Sequence, residues 1–153
     1  MFRAILLSFT LIVSVIIGAF AADAQRDPLS DRGGSVIKGY DTVAYWTVGE
    51  AVKGSKKITS TYTGAEFRFA SDENKALFDA NPEKYIPEYG GYCAWAMASG
   101  GFAPGNGKYW KIVDGKLYIN YNGKVEKDWL EDVSGFIQKA DPEWSTAKLH
   151  ESN

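Results

Sequence analysis

The chain has 153 residues, a formal net charge of -2 at pH 7 and a single cysteine, Cys93. Its length is that of one domain, and its near balance of charge excludes nucleic acid as the main partner, because phosphate binding needs a dense basic patch. One cysteine excludes an internal disulfide, and the only histidine, His150, lies close to the C-terminus, which excludes an imidazole-based zinc site and a Cys-His catalytic pair in the folded core.

Residues 1–24 have the pattern of a secretory signal peptide. A basic start, Met1 to Arg3, precedes an uncharged apolar run of 17 residues from Ala4 to Phe20, and small residues at the cleavage sites follow, ending at Ala21 and Ala24. We therefore expect a periplasmic or secreted protein with no stable membrane span after cleavage. An uncleaved N-terminal anchor is the alternative, because the apolar run is at the lower limit for spanning a bilayer.

Residues 25–35 are polar and end in two glycines, which predicts a flexible leader. The folded domain is expected over residues 36–144. Its first stretch, residues 36–46, mixes β-branched and aromatic residues and predicts an extended segment that leads into a helical turn. The basic, glycine-containing residues 49–57 predict a solvated loop.

The next part of the chain predicts a hairpin followed by a helix. Polar and apolar residues alternate over residues 58–62 and 66–70, on either side of a Thr-Gly-Ala turn. Ser71 is a suitable N-cap for a helix from Asp72 to Ala80, because its hydroxyl can accept a hydrogen bond from a free N–H of the first turn. Asn81 and Pro82 end that helix.

A second hairpin is predicted around Asp114-Gly115, which is the strongest hairpin signal in the chain. Its strands are residues 109–113 and 116–121, and the glycine-rich residues 100–108 before it predict a loop beside Cys93.

The C-terminal part of the chain predicts one long helix. Asn122 is its expected cap, residues 124–140 carry an apolar stripe, and Asp141-Pro142 is the expected stop. Residues 145–153 form a polar tail. The sequence shows no internal repeat, and this order of elements predicts a small α+β domain in which short antiparallel hairpins pack against several helices.

The residues around Cys93 indicate the centre of the protein. Gly90 and Gly91 permit unusual backbone angles, and the residues that follow favour a helix that starts near Tyr92. Cys93 would then lie in the first turn, where free N–H groups and the helix dipole lower the pKa of a thiol. Met97 is four residues further, on the same helical face.

Three interpretations of this segment remain open. Cys93 with Met97 is a soft donor pair that suits Cu(I), with Gly90, Gly91, Tyr92 and Trp95 as the pocket around it. Alternatively, Cys93 is a catalytic thiol of redox chemistry with an external partner protein, since no second cysteine is present to resolve an oxidised form. In the third, the domain has a structural or protein-interaction role and its cysteine is a buried apolar residue.

Five motifs of the chain are Gly39-Tyr40-Asp41-x-Val43-Ala44-Tyr45, Phe67-x-Phe69-Ala70-Ser71, Asn81-Pro82-Glu83-Lys84-Tyr85, Tyr89-Gly90-Gly91-Tyr92-Cys93-Ala94 and Asp114-Gly115-Lys116-Leu117-Tyr118. Through these motifs the chain resembles YHS domain proteins of the secreted bacterial type. That resemblance implies a small α+β domain, an association with metal-handling proteins, and relatives that carry selenocysteine at the position of Cys93. The wider group often has several cysteines in its hairpin and helix, where this chain has Phe67, Phe69 and Ala70.

From these observations we expect a metal-binding module that holds a soft ion such as copper through Cys93, with Met97 as a second ligand. We do not expect an enzyme that works alone.

Overall fold

The structure is a computed structural model that describes residues 29–31 and 34–151, with only the backbone described for residues 148–151. The signal peptide predicted at residues 1–24 lies outside the described residues. Among the residues that the structure describes, none of the helices combines the length and the hydropathy that crossing a bilayer would require.

The fold is α+β, as the sequence predicts. A 3₁₀ turn covers Val36–Gly39, and a second covers Glu88–Gly91. Each of two antiparallel hairpins forms a two-stranded sheet of its own. The remaining elements, in chain order, are α1 (Ala44–Thr47), β1 (Ser55–Tyr62), β2 (Ala65–Phe69), α2 (Asp72–Ala80), α3 (Pro82–Tyr85), α4 (Ala94–Met97), β3 (Asn106–Val113), β4 (Lys116–Asn120), α5 (Gly123–Leu130) and α6 (Val133–Glu151).

The structure contains an internal repeat that the sequence does not reveal. We call residues 36–85 the first unit and residues 88–136 the second unit. Strand β3 starts 51 residues after β1, at 106 against 55, and α5 starts 51 residues after α2, at 123 against 72. Both hairpins have an eight-residue strand, a two-residue turn and a five-residue strand. The expectation that the chain lacks a repeat is therefore wrong.

Backbone angles follow the same repeat. Three successive residues with positive φ open each unit, at 37–39 in the first and 89–91 in the second. Two residues with positive φ form each hairpin turn, at 63–64 and 114–115, and such turns match the twist of the strands that they join. Because non-glycine residues rarely adopt these angles, their recurrence at matching places indicates one backbone design used twice.

Helix caps also recur, and both were predicted from the sequence. Ser71 Oγ accepts a hydrogen bond from the Asn74 N–H at 3.1 Å, at the start of α2. Asn122 Oδ1 accepts one from the Val125 N–H at 2.9 Å, at the start of α5. Each cap satisfies a donor that the helix itself leaves free.

Aromatic side chains fix each hairpin to its helix. In the first unit the rings of Phe67 and Phe78 lie 4.6 Å apart, and in the second unit the rings of Tyr118 and Trp129 lie 5.7 Å apart. These pairs occupy matching positions on the second hairpin strand and on the following helix. Each unit therefore has its own hydrophobic cluster.

The C-terminal helix differs from the prediction in two ways. It is interrupted, because Asp132 Oδ1 accepts a hydrogen bond of 3.0 Å from the Gly135 N–H and thereby caps a new helix, α6. The predicted stop at Asp141-Pro142 is also wrong, since α6 continues through Pro142 to Glu151. Trp144 packs 6.2 Å from Tyr89, and this tertiary contact supports the helix beyond the proline.

The N-terminal part of the domain also starts earlier than predicted. Leu29, in the expected flexible leader, is only 5 % exposed and belongs to the first hydrophobic cluster. The Ser30 N–H donates to the Gly90 carbonyl oxygen at 2.8 Å. Residues 36–39 form a turn where the sequence predicted an extended segment, because their positive φ angles close the chain on itself.

Candidate functional site

Cys93 lies at the N-cap of α4, and the helix itself begins at Ala94. The helix therefore starts two residues later than predicted, because Gly90 and Gly91 form a left-handed turn and Tyr92 has extended backbone angles. The Cys93 side chain is completely buried. Its sulfur lies 3.6 Å from Asn120 Oδ1, to which the thiol donates.

Three backbone N–H groups favour the ionised form of the sulfur. They belong to Ala96, Tyr121 and Trp95, and we call them the second-unit N–H cluster. Two of them belong to the first turn of α4 and the third follows β4. The first-turn N–H groups of Trp95 and Ala96 have no acceptor within their own helix, and the Trp95 N–H donates to Asn120 Oδ1 at 3.2 Å.

Asp41 occupies the matching place in the first unit. Its Oδ1 accepts hydrogen bonds from the N–H groups of Val43 at 2.9 Å and Ala44 at 3.2 Å, and its Oδ2 accepts one from Ala70 at 2.8 Å. These donors, the first-unit N–H cluster, are two and three residues after Asp41 and just beyond β2. Their spacing is that of Trp95, Ala96 and Tyr121 around Cys93. The fold thus places a buried carboxylate in one unit where it places a thiol in the other.

Asn120 is a site residue that the sequence analysis did not single out. It is fully buried, and its Oδ1 accepts a hydrogen bond from the Trp95 N–H at 3.2 Å as well as facing the Cys93 sulfur. Its Nδ2 is buried without a partner among the described residues. Asparagine is uncommon inside strands, and its place in the apolar β4 is the signal that could have identified it.

Burial raises the pKa of the Cys93 thiol, although the N–H groups of Ala96, Tyr121 and Trp95 act in the opposite direction. The predicted lowering of this pKa is therefore wrong. Helix α4 has only four residues, and loss of water around the sulfur outweighs what its free N–H groups contribute. In the free protein Cys93 is a neutral thiol at pH 7.

Met97 lies one helical turn after Cys93, because its N–H donates to the Cys93 carbonyl oxygen at 3.0 Å. Its side chain is fully buried in the second hydrophobic cluster. The two predicted pocket walls have different surroundings: Tyr92 is buried beside Phe102, whereas Trp95 is 40 % exposed. The two cavities described below are lined by none of Cys93, Met97, Tyr92 and Trp95, whereas the predicted pocket residue Gly90 lines the first of them.

The glycine-rich loop lies directly beside Cys93, as predicted. The Cys93 N–H donates to the Ala103 carbonyl oxygen at 2.9 Å, and Tyr92 forms an isolated antiparallel bridge with Pro104. Access to the sulfur from this side requires the loop to separate from residues 92–93.

Within the part of the chain that the structure describes, no three His, Cys, Asp or Glu side chains are grouped as a metal site.

Comparison with known protein families adds the family assignment. Residues 43–89 match the family model of the YHS domain. The chain contains a YHS domain. No curated protein and no solved structure matches it. The matched YHS domain runs from α1 to the second 3₁₀ turn, so it covers most of the first unit, and Cys93 lies just beyond it in the second unit.

Proposed function

We propose that this YHS-domain chain is a periplasmic or secreted metal-binding module that holds a soft ion such as Cu(I) through Cys93. The observation that carries the proposal is the correspondence between Cys93 and Asp41. In the first unit the surrounding N–H groups hold an anion, and the same arrangement around Cys93 suits a thiolate. YHS domains are associated with metal-handling proteins, which agrees with this assignment.

Burial of Cys93 is compatible with a metal ligand. A thiolate without a bound cation would be a buried charge here, and the second-unit N–H cluster offsets only part of its loss of hydration, which is why the free protein keeps its proton. A bound cation replaces the proton and neutralises the sulfur, while the second-unit N–H cluster continues to stabilise the thiolate. Binding would therefore release one proton.

The donor chemistry fits a soft ion. The Cys93 thiolate and the Met97 thioether are soft donors, and Asn120 Oδ1 adds an oxygen from a different segment, 3.6 Å from the sulfur. A structural zinc site normally takes four nitrogen, sulfur or oxygen ligands, and the described residues supply fewer strong ones here. Cu(I) accepts such a small, sulfur-rich set.

Thiol redox chemistry with a partner protein has less support. It requires a thiolate that the partner can reach, whereas Cys93 is fully buried and its pKa is raised. A purely structural role for Cys93 is the remaining alternative, and the experiment below distinguishes it.

Titration with Cu(I) against a competing chelator tests the proposal on the wild type, Cys93→Ser and Met97→Leu. We expect one ion per chain, a loss of affinity of about 100-fold in Cys93→Ser and of about tenfold in Met97→Leu. Thermal unfolding of the apo variants checks that each one folds. Equal Cu(I) affinity in the wild type and Cys93→Ser would overturn the proposal and favour the structural role.

A further inference from the structure

A cavity of about 360 Å³ lies where the first unit meets the second 3₁₀ turn and α6. Its walls come from the turn of the first hairpin, from the segment after α3 and from α6, and they include Tyr62, Ile86, Tyr89 and Trp144. This volume falls within the range of small-molecule sites, which are typically apolar with a few polar groups.

The internal repeat distinguishes the features of this cavity that follow from the backbone from those that depend on its side chains. A groove at the matching place in the second unit is lined by Val113, Asp114, Ser134 and Ile137, each 51 residues after a residue that lines the first cavity. The groove is therefore a consequence of how the hairpin turn meets the following helix. The two places differ in their side chains, since the first cavity has Tyr62 where the groove of the second unit has Val113. The ligand preference of the first cavity therefore depends on its own side chains.

Aromatic rings form two sides of the first cavity. The rings of Tyr62 and Trp144 are partly exposed at the cavity. Tyr89 is only 2 % exposed, and its ring packs 6.2 Å from that of Trp144 with the planes at 68°, so it supports Trp144 from behind. Tyr89 has a positive φ of 54°. Its hydroxyl donates a hydrogen bond of 2.8 Å to Asp141 Oδ1, which fixes the position of the ring. Ring faces attract cations, and fixed rings do so without loss of side-chain freedom.

Charge at the cavity has one sign. Glu83 and Glu88 line it, and no lysine, arginine or histidine among the described residues does so. Lys116 Nζ lies 3.6 Å from Glu88 Oε2 but outside the lining, so it offsets part of one carboxylate only. Two carboxylates beside aromatic rings favour a positively charged ligand and oppose a phosphate or carboxylate ligand.

We propose that this cavity binds an organic ammonium ion that carries apolar groups, of the quaternary kind. Alkyl groups on nitrogen would contact the partly exposed rings of Tyr62 and Trp144. Glu83 and Glu88 would neutralise the charge. A hard divalent ion fits less well, because it takes six or more oxygen ligands and the cavity offers two carboxylates. The site is separate from Cys93, so it does not depend on the metal-binding proposal.

Isothermal titration calorimetry with choline and with 3,3-dimethylbutan-1-ol, its neutral analogue of the same shape, tests the charge requirement. We expect saturable binding of choline and an affinity for the neutral alcohol that is lower by about tenfold or more. Equal affinities for the two, or no saturable binding of choline below about 10 mM, would overturn the proposal.

Variants locate the site. Glu83→Gln changes an exposed side chain and leaves the fold intact, and together with Glu88→Gln it should weaken choline binding by about tenfold. Glu131→Gln, in the groove of the second unit, is the matched control and should leave the affinity unchanged. An unchanged affinity in the Glu83→Gln, Glu88→Gln variant, or an equal loss in Glu131→Gln, would place the bound ion elsewhere and refute the assignment. Cys93→Ser should bind choline as the wild type does.

Discussion

The Tyr45 hydroxyl donates a hydrogen bond of 2.6 Å to the Gly107 carbonyl oxygen, and these two residues belong to different units. A Cβ atom at Gly107 would lie 2.5 Å from Tyr45 Oη and 2.6 Å from Tyr40 Cβ. Glycine is therefore required in this strand, because only a backbone without a side chain lets the two units come this close. The two units are joined here by a buried polar contact.

Removing this hydroxyl should loosen the junction. Tyr45→Phe leaves the Gly107 carbonyl oxygen buried without its donor, so we expect the free energy of unfolding to fall by about 1–3 kcal/mol. Urea denaturation measures it, with Tyr121→Phe, an exposed tyrosine, as the control that should change little. An identical midpoint for Tyr45→Phe and the wild type would contradict a role for this bond.

The Asp41 carboxylate should be more important for stability than any surface acid. Both its oxygens accept backbone hydrogen bonds, and Oδ2 also accepts one from Asn74 Nδ2 at 2.8 Å. Asp41→Asn replaces one acceptor by a donor that faces N–H groups, so we expect a loss of about 3 kcal/mol or more. Thermal unfolding checks this against Asp72→Asn, an exposed change in the first turn of α2.

The matching place in the second unit should tolerate a carboxylate. In Cys93→Asp the new side chain can accept from the second-unit N–H cluster as Asp41 does in the first unit, whereas Cys93→Asn presents a donor to the same groups. We therefore expect Cys93→Asp to be more stable than Cys93→Asn by about 1–2 kcal/mol in urea denaturation at pH 7. The reverse order would mean that the two places are not equivalent.

The raised pKa of Cys93 should make stability fall with increasing pH. The unfolded chain loses the thiol proton near pH 8.5 while the folded chain keeps it, so above about pH 8.5 the unfolded state binds fewer protons and is favoured, by up to about 1.4 kcal/mol per pH unit. The contribution of the buried neutral thiol to the free energy of unfolding is fully present below about pH 8.5. Cys93→Ser should lack this slope.

Ionisation of tyrosines sets the upper pH limit of that measurement. Burial raises the pKa values of Tyr45, Tyr89 and Tyr118, the last to about 12, and they act in the same direction only once unfolded tyrosine begins to ionise near pH 10. A wild-type slope between pH 8 and 9.5 that persists in Cys93→Ser would show that the thiol is not its source.

Both predicted helix caps can be tested as a pair. Ser71→Ala and Asn122→Ala each remove the acceptor of one first-turn N–H, so each should lower the free energy of unfolding by about 1 kcal/mol. Gln138→Ala, at an exposed position within α6, is the control. No loss in either cap variant would indicate that water replaces the side chain fully.

Sequence patterns predicted the local elements well where short-range chemistry decides them. The turn at Asp114-Gly115 needs residues that accept positive φ, and the caps at Ser71 and Asn122 need side-chain acceptors. The residue types alone therefore identify these positions. The stop at Pro142 was wrong because packing of Trp144 against Tyr89, a contact over 55 positions of chain, outweighs a local preference.

The candidate site could be predicted only in part. Cys93 is visible as the single cysteine beside two glycines, but its burial and raised pKa depend on β4 and on the loop, which are remote in sequence. Asn120 and the equivalence with Asp41 were hidden for a similar reason. The two units share backbone angles and N–H geometry, while matching positions such as Phe78 and Trp129, or Asp41 and Cys93, carry different side chains.

Asp41 and Cys93 show that a doubled architecture can hold two different kinds of side chain at one kind of place. In the first unit an acid accepts hydrogen bonds from three backbone N–H groups there. In the second unit the matching place holds a sulfur atom, so stability and reactivity can be assigned to separate copies of the same frame.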